Sequence, residues 1–118
     1  MTHGDMTISR DESDGVEIIR LVGDVDLTNA ELVREAVDAT TCERVVLDLS
    51  AVTFLDSMAI STLDGGRRRL ESEQRSLVLV SPPETPSAWT LRVTGMDGDV
   101  CGSLDEALVS AAVRHARV

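Results

Sequence analysis

The sequence predicts an α/β domain with a mixed, mostly parallel sheet of four to five strands, an antiparallel N-terminal hairpin and about four helices. Short runs rich in Val, Ile and Leu alternate with segments whose apolar residues recur at helical spacing. Asp14-Gly15 separates the first two runs, and this dipeptide is typical of a hairpin turn. The resulting order is β-β-α-β-α-β-α-β-α, and such alternation favours parallel pairing after the hairpin.

Five segments have the composition of strands. They are rich in β-branched and aliphatic residues, and turn-forming residues bound most of them. The third is a nearly continuous apolar run with β-branched residues. The predicted strands are Met6–Arg10, Val16–Val22, Val45–Leu49, Leu77–Val80 and Asp99–Cys101.

The first predicted helix follows the second strand. Thr28 and Glu31 match a capping box, and Leu27 and Leu32 match a hydrophobic staple around the helix start. Thr28 is therefore interpreted first as a cap. The apolar residues that follow have the spacing of a single core-facing stripe, made of Leu32, Val33, Ala36 and Val37.

Three further helices are predicted. The second runs from about Ser57 to Glu73, although two consecutive glycines inside it each cost about 1 kcal/mol of helix propensity. Pro86 suits the first turn of the third. Ser103 and Glu106 form a second capping box. The stripe of the last helix is Leu104, Ala107, Leu108, Ala111 and Ala112.

Charge and composition exclude several classes of function. The formal net charge of −10 repels polyanions, which disfavours direct binding of nucleic acid or anionic membranes. One Phe, one Trp and no Tyr leave little surface on which bases could stack. Neither a membrane-spanning apolar stretch nor a signal peptide is visible. We expect a cytoplasmic, monomeric chain, one domain over residues 1–118 with its core at about 6–112.

The residues of chemical interest do not form a catalytic or metal-binding motif. Cys42 and Cys101 lack the spacing of a zinc site, so we expect reduced thiols, with a redox-sensitive pair as the alternative. His3 and His115 lie near opposite ends of the chain, without a Ser or Cys triad context. No Gly-rich phosphate loop of the Walker type is present. The sequence therefore predicts no enzyme, no metal and no cofactor.

The segment from Val45 to Ile60 contains the strongest candidate for a functional site. An apolar strand pattern ends at Asp56-Ser57, and a helical pattern then begins. Ser57 would thus lie at the N-terminus of a helix, where free backbone N–H groups and the helix dipole favour an added phosphate. This arrangement indicates a switch. The simpler alternative is that Ser57, or Asp56, only caps the helix.

Three segments resemble the STAS domain family, which is named for sulfate transporters and anti-sigma factor antagonists. The segment from Leu21 to Thr28 is similar to the family's Gly-acid-apolar-Asp motif. The segment from Val46 to Ser57 is similar to its central strand and Asp-Ser signature, and Leu91–Met96 to the end of its third helix. The resemblance extends from about Met6 to Ala112.

The resemblance implies an anti-sigma factor antagonist of bacterial type. In the family, an anti-sigma factor that is also a serine kinase binds the unphosphorylated antagonist and phosphorylates it, and a phosphoserine phosphatase resets the switch. Position matching implies that Ser57 is the phosphoacceptor, with Asp26 and Asp56 near it. Where the family has Ser or Thr and then Gly, this chain has Met58-Ala59. The expected partner-binding residues are Asp26, Thr28, Asp56, Met58 and Ala59.

Several alternatives stay open. The chain could be a STAS subunit of a membrane transport complex that is never phosphorylated. Asp26 could be only a loop acid that is favourable near a helix start. Trp89 could anchor a partner or pack against a helix. Asp48 has a structural interpretation, and Arg67-Arg68-Arg69 that of a solvated helix face.

Overall fold

The computed structural model describes residues 6–95 and 100–109 as five strands and four helices. In chain order these are β1 (Met6–Ser13), β2 (Val16–Val25), α1 (Ala30–Ala39), β3 (Arg44–Leu55), α2 (Ser57–Ser72), β4 (Ser76–Val80), α3 (Pro86–Val93), β5 (Val100–Cys101) and α4, described over 104–109. The strands form one sheet in the order β1-β2-β3-β4-β5. β1 and β2 are antiparallel, and the other neighbours are parallel. The predicted fold class is confirmed.

The hairpin and the central strand are longer than predicted. Asp14 and Gly15 form the turn with φ of 51° and 79°, the left-handed values that a tight hairpin needs. β1 continues to Ser13 and β2 to Val25, whereas the prediction ended them at Arg10 and Val22. β3 runs to Leu55 instead of Leu49, because the residues after Leu49 still pair with the end of β2.

The larger part of the core lies between the sheet and α1, α2 and α3. Each of these helices connects one parallel strand to its next neighbour, and right-handed connections in a constant direction place all of them on the same face. Alternate strand residues face this layer. The buried helix residues that meet them are Ala30, Val33, Val37, Ala59, Ile60, Leu63, Leu70 and Leu91.

α4 packs on the opposite face of the sheet. Ala107 is fully buried there against Val16, Val46, Val78 and Val80. The sheet is therefore covered on both sides at β3 and β4, which explains their continuous apolar runs. The predicted capping box is confirmed on one side only: Ser103 Oγ accepts a hydrogen bond from the Glu106 N–H at 3.2 Å. The Glu106 carboxylate instead accepts from the Gly102 N–H at 3.0 Å.

The remaining predictions about helices and thiols have these outcomes. α3 begins at Pro86 as predicted, and Thr85 caps it by accepting from the Ala88 N–H. Cys42 and Cys101 are free thiols, each half-buried.

In the part of the chain that the structure describes, no helix has the length and apolarity to cross a bilayer. Six residues named in the sequence analysis lie outside the described ranges: His3, Met96, Asp99, Ala111, Ala112 and His115.

The two glycines in α2 lie where α1 crosses it. A methyl group on Gly66 would lie 3.4 Å from Cδ of Arg34 and 3.7 Å from Cγ1 of Val37, so α1 packs close to the α2 backbone. The helix is continuous through both glycines. The arginines that follow them form the expected solvated face, paired with Asp38, Asp64, Glu71 and Glu73.

Gly66→Ala tests this helix contact. We expect the free energy of unfolding in urea to rise by about 0.5–1 kcal/mol, because helix propensity improves and the methyl fits at ordinary contact distance. Gly66→Leu should instead lower it, since the longer side chain must displace Arg34 and Val37. A loss of stability in Gly66→Ala would show that α1 lies closer to α2 than described here.

Candidate functional site

The candidate site lies at the end of the sheet where β2 and β3 finish. Ser57 is the first residue of α2, and its side chain is exposed to solvent. Asp56 precedes it in an extended conformation, with φ −72° and ψ 136°, as expected for a helix N-cap. The predicted position of Ser57 at a strand-to-helix junction is therefore confirmed. Its role as a phosphoacceptor stays a prediction.

Asp56 connects α2 to the rest of the site. Its carboxylate accepts a hydrogen bond from the Met58 N–H at 2.7 Å, and its carbonyl accepts from the Ala59 N–H at 3.0 Å. Its own N–H donates to the Val25 carbonyl at 2.9 Å. Free backbone N–H groups were expected at this helix start, and one of them, that of Met58, is already bound by the Asp56 carboxylate. A phosphate on Ser57 would lie next to this carboxylate.

Two bulges in β3 shape the edge of the site. Arg20 pairs with Asp48 and Val22 with Ala51, so β3 contains one extra residue there, and a second lies between the partners of Gly23 and Asp24. Bulges bend a strand and redirect its side chains. Beside the second bulge, the Thr53 hydroxyl donates to the Asp24 carboxylate at 2.6 Å. At the first, Ser50 donates to Asp48, which supports the structural interpretation of Asp48.

The loop between β2 and α1 forms the other half of the site. Asp26 Oδ1 accepts from the backbone N–H of Thr28 at 2.9 Å and from its hydroxyl at 2.5 Å. α1 begins at Ala30, with Asn29 as its N-cap residue. The predicted capping box of Thr28 with Glu31 is therefore wrong: Thr28 closes a turn on Asp26 instead of capping the helix.

Exposed apolar side chains accompany the acids at this end of the sheet. Leu27, Phe54 and Met58 are exposed by 62%, 50% and 61%. The predicted staple is wrong, because Leu27 points into solvent and Leu32, expected in the core, is 38% exposed. We call Leu27, Phe54, Met58 and the carboxylates Asp24, Asp26 and Asp56 the acidic-apolar end. Such a surface is typical of a protein-docking site.

Not every predicted contact residue belongs to this surface. Ala59 is 0% exposed and forms part of the core, so it offers no side chain to a partner, which corrects its prediction as a partner-binding residue. Met58, beside it, is exposed to solvent, and its role as a partner-binding residue stays a prediction. Leu27, Phe54 and Asn29 were not predicted as site residues. The one sequence feature that could have indicated the site is Phe54, the single Phe of the chain, which lies shortly before Asp56-Ser57.

A second cluster of polar groups lies at the opposite end of β3. One ligand atom each from Glu12, Glu17 and Cys42 lies within 4.8 Å of the others. Arg10 forms an ion pair with Glu17, and the Cys42 thiol donates to Glu12 at 3.6 Å. Burial and the neighbouring Glu12 charge raise the pKa of the Cys42 thiol, which favours the protonated form over a metal-binding thiolate. The cluster is therefore satisfied internally.

The sequence and the fold are both similar to those of known proteins. The STAS domain family matches residues 7–111. An anti-sigma F factor antagonist of Paenibacillus polymyxa is 29% identical over 84 residues, which cover 66% of this chain and 72% of that protein. The crystal structure of an anti-sigma factor antagonist from Mycobacterium paratuberculosis superposes with a TM-score of 0.81 at 26% identity, covering 91% of this chain and 94% of the other.

Two structures of SpoIIAA share the fold at lower identity. The unphosphorylated anti-sigma factor antagonist superposes with a TM-score of 0.72 at 19% identity, covering 92% of this chain and 97% of that one. The phosphorylated form of SpoIIAA, a Bacillus cell fate determinant, superposes with a TM-score of 0.68 at 16% identity, covering 90% of this chain and 99% of that one. The match over residues 7–111, together with the sheet order and the Asp56-Ser57 junction, leads to one conclusion: the chain belongs to the STAS domain family.

Proposed function

We propose that this chain is an anti-sigma factor antagonist. In its unphosphorylated form it binds an anti-sigma factor with serine kinase activity through the acidic-apolar end, and phosphorylation of Ser57 releases that partner. The observation that carries the proposal is an exposed serine hydroxyl at the start of α2, at the same end of the sheet as exposed apolar and half-buried acidic side chains. The names of the relatives at 29% and 26% identity support the choice of partner.

The chemistry of the surface suits such a partner. Leu27 and Met58 offer apolar contacts beside the reactive hydroxyl, and burying them on docking releases ordered water. Asp24, Asp26 and Asp56 require complementary cations on the other protein, and the net charge of −10 accelerates the approach of a basic surface. We therefore propose a partner surface with an apolar centre and a basic rim.

Phosphorylation would act on contact and leave the fold intact. The kinase transfers the terminal phosphoryl group of ATP to Ser57 Oγ, and the modified side chain carries about −1.5 to −2 charges at pH 7. As a kinase, the partner would place a carboxylate base inside the basic rim, facing the Ser57 hydroxyl. At about 6 Å, this carboxylate would repel the phosphate by about 2.8 kcal/mol per charge pair at an effective dielectric constant near 20. That energy corresponds to about a hundredfold loss of affinity. A phosphoserine phosphatase would restore binding.

The first prediction concerns the acceptor residue. We incubate the wild type, Ser57→Ala and Ser61→Ala with ATP, Mg²⁺ and each anti-sigma factor of the source organism, and record intact masses. Ser61 is an exposed serine one turn along the same helix, so its variant is the matched control. The wild type and Ser61→Ala should each gain one phosphate with the same protein, and Ser57→Ala should gain none.

Two outcomes would contradict the proposal. If Ser57→Ala still gains phosphate, another residue is the acceptor. If the wild type gains none and co-purifies with a membrane transport ATPase, the chain is a transport subunit, the alternative that the sequence left open.

A second prediction follows from the Asp56 cap. Asn and Asp cap helices about equally well, so Asp56→Asn should keep the stability of the unphosphorylated protein within about 0.5 kcal/mol. A phosphate next to a neutral amide meets less repulsion than one next to a carboxylate. With phosphoserine incorporated at position 57 during translation, we expect phosphorylation to destabilise Asp56→Asn less than the wild type, by about 1 kcal/mol in urea unfolding.

The control for this prediction removes a carboxylate elsewhere in the same helix. Asp64→Asn should leave the cost of phosphorylation unchanged, because Asp64 pairs with Arg67 and Arg68 further along α2. If phosphorylation costs the same in Asp56→Asn as in the wild type, the phosphate does not lie beside the cap.

A further inference from the structure

We propose that Asn29 is a positioning residue, which holds the end of β2 and the loop of residues 26–28 in the conformation that presents Asp26 and Leu27 at the docking surface. Asn29 is 0% exposed and occupies the N-cap position of α1. Asn at this position normally accepts a hydrogen bond from the helix, but its side chain makes no such bond here. The link to partner binding rests on the proposed function, whereas the effect on the loop does not.

The Asn29 amide bridges the two peptide groups on either side of Val25. Its Nδ2 donates to the Asp24 carbonyl at 2.9 Å, and its Oδ1 accepts from the Asp26 N–H at 3.0 Å. Val25 is itself fully buried. Without the amide, a carbonyl and an N–H in a partly buried position would lose their partner, which is costly.

The start of α1 is satisfied by the loop backbone instead. The Asp26 carbonyl accepts from the N–H groups of Asn29, at 3.3 Å, and Ala30, at 2.9 Å. The helix therefore does not require the Asn29 side chain as a cap, and the amide is available to the loop. Asn29 therefore occupies the N-cap position of α1 without capping the helix through its side chain.

Few side chains could replace this amide. Asn offers a donor and an acceptor in a fixed fork on a short side chain. A Ser or Thr hydroxyl is a single atom and cannot reach both groups, and an ionised Asp has no donor. The requirement for both functions explains why a fully buried amide lies at the edge of an otherwise aliphatic core.

The bridge acts on both halves of the site. The residues that it fixes are those that bind the β3–α2 junction: Asp24 accepts from Thr53, and the Val25 carbonyl accepts from the Asp56 N–H. Asp26, held at its N–H, turns its carboxylate toward Thr28. A loop fixed in this way does not have to be ordered when a partner binds, which favours affinity.

The test compares Asn29→Ser with the wild type by amide hydrogen exchange. Ser still caps a helix but cannot form the bridge. We expect exchange at the Asp26 and Thr28 N–H groups to accelerate about tenfold, while the Leu47 N–H in the core of β3 stays unchanged. Thr85→Ala is the matched control, because it removes the cap of α3 and should leave the loop protected.

The wild type provides a measurement that does not depend on a variant folding. The Asn29 side-chain amide protons should exchange much more slowly than those of a solvent-exposed amide, with a through-hydrogen-bond coupling to the Asp24 carbonyl. Rapid exchange of these protons would overturn the proposal. Two results in Asn29→Ser would also overturn it: an unchanged exchange rate at the Asp26 N–H, or an equal acceleration at the Asp26 and Leu47 N–H groups. Either result means that Asn29 does not act on the loop specifically.

The binding consequence is measured with the anti-sigma factor that phosphorylates Ser57. We expect Asn29→Ser to bind it about tenfold more weakly and Thr85→Ala to bind it as the wild type does. Equal affinity of Asn29→Ser, together with faster loop exchange, would overturn the link to docking. If the wild type binds no anti-sigma factor, the proposed function fails, and the exchange data still decide whether Asn29 positions the loop.

Discussion

Asp24 pairs with Phe54, and Val25 pairs with Leu55, where β2 and β3 run parallel to their shared end. The rest of the site depends on this pairing. It brings the loop after β2 next to the start of α2, although about 30 residues separate them in the chain. The Val25 carbonyl can then accept from the Asp56 N–H, which fixes the angle at which α2 leaves the sheet. The Ser57 hydroxyl, on the first residue of that helix, is therefore held by a fixed backbone and is exposed to solvent.

The charges around Ser57 explain why one modification could act as a switch. An uncapped helix N-terminus would attract a phosphate and draw it toward the backbone. Here the Asp56 carboxylate already accepts from the Met58 N–H, so an added phosphate gains little from the helix and meets a like charge. On the proposed function, a phosphate on Ser57 would therefore stay at the surface, where a docking protein would meet it. A cap that stabilises the unmodified helix thus also favours exposure of the modified side chain.

Much of this architecture could be predicted from residue patterns. The Asp14-Gly15 turn, the alternation of strands with helices and the position of Ser57 all follow from local rules that agree with one another. The far end of β3 could not be predicted, because Ser50 and Thr53 interrupt its apolar run and two bulges break the alternation that identifies a strand. The tasks of Thr28 and Asn29 were hidden for a related reason. Thr28 matches a capping box in sequence and Asn29 takes the N-cap position in the structure, and only the hydrogen bonds within the loop show that neither side chain caps α1.

The affinity of the unmodified and phosphorylated chains for the same anti-sigma factor tests the central claim most directly. Phosphoserine would be incorporated at position 57, and both forms would be titrated calorimetrically against the protein that phosphorylates Ser57. We predict about a hundredfold weaker binding of the phosphorylated form, with backbone NMR shifts that change only near the start of α2. Equal affinities would contradict a docking surface centred on Ser57. Weaker binding accompanied by shift changes throughout the sheet would contradict a switch that acts by contact alone.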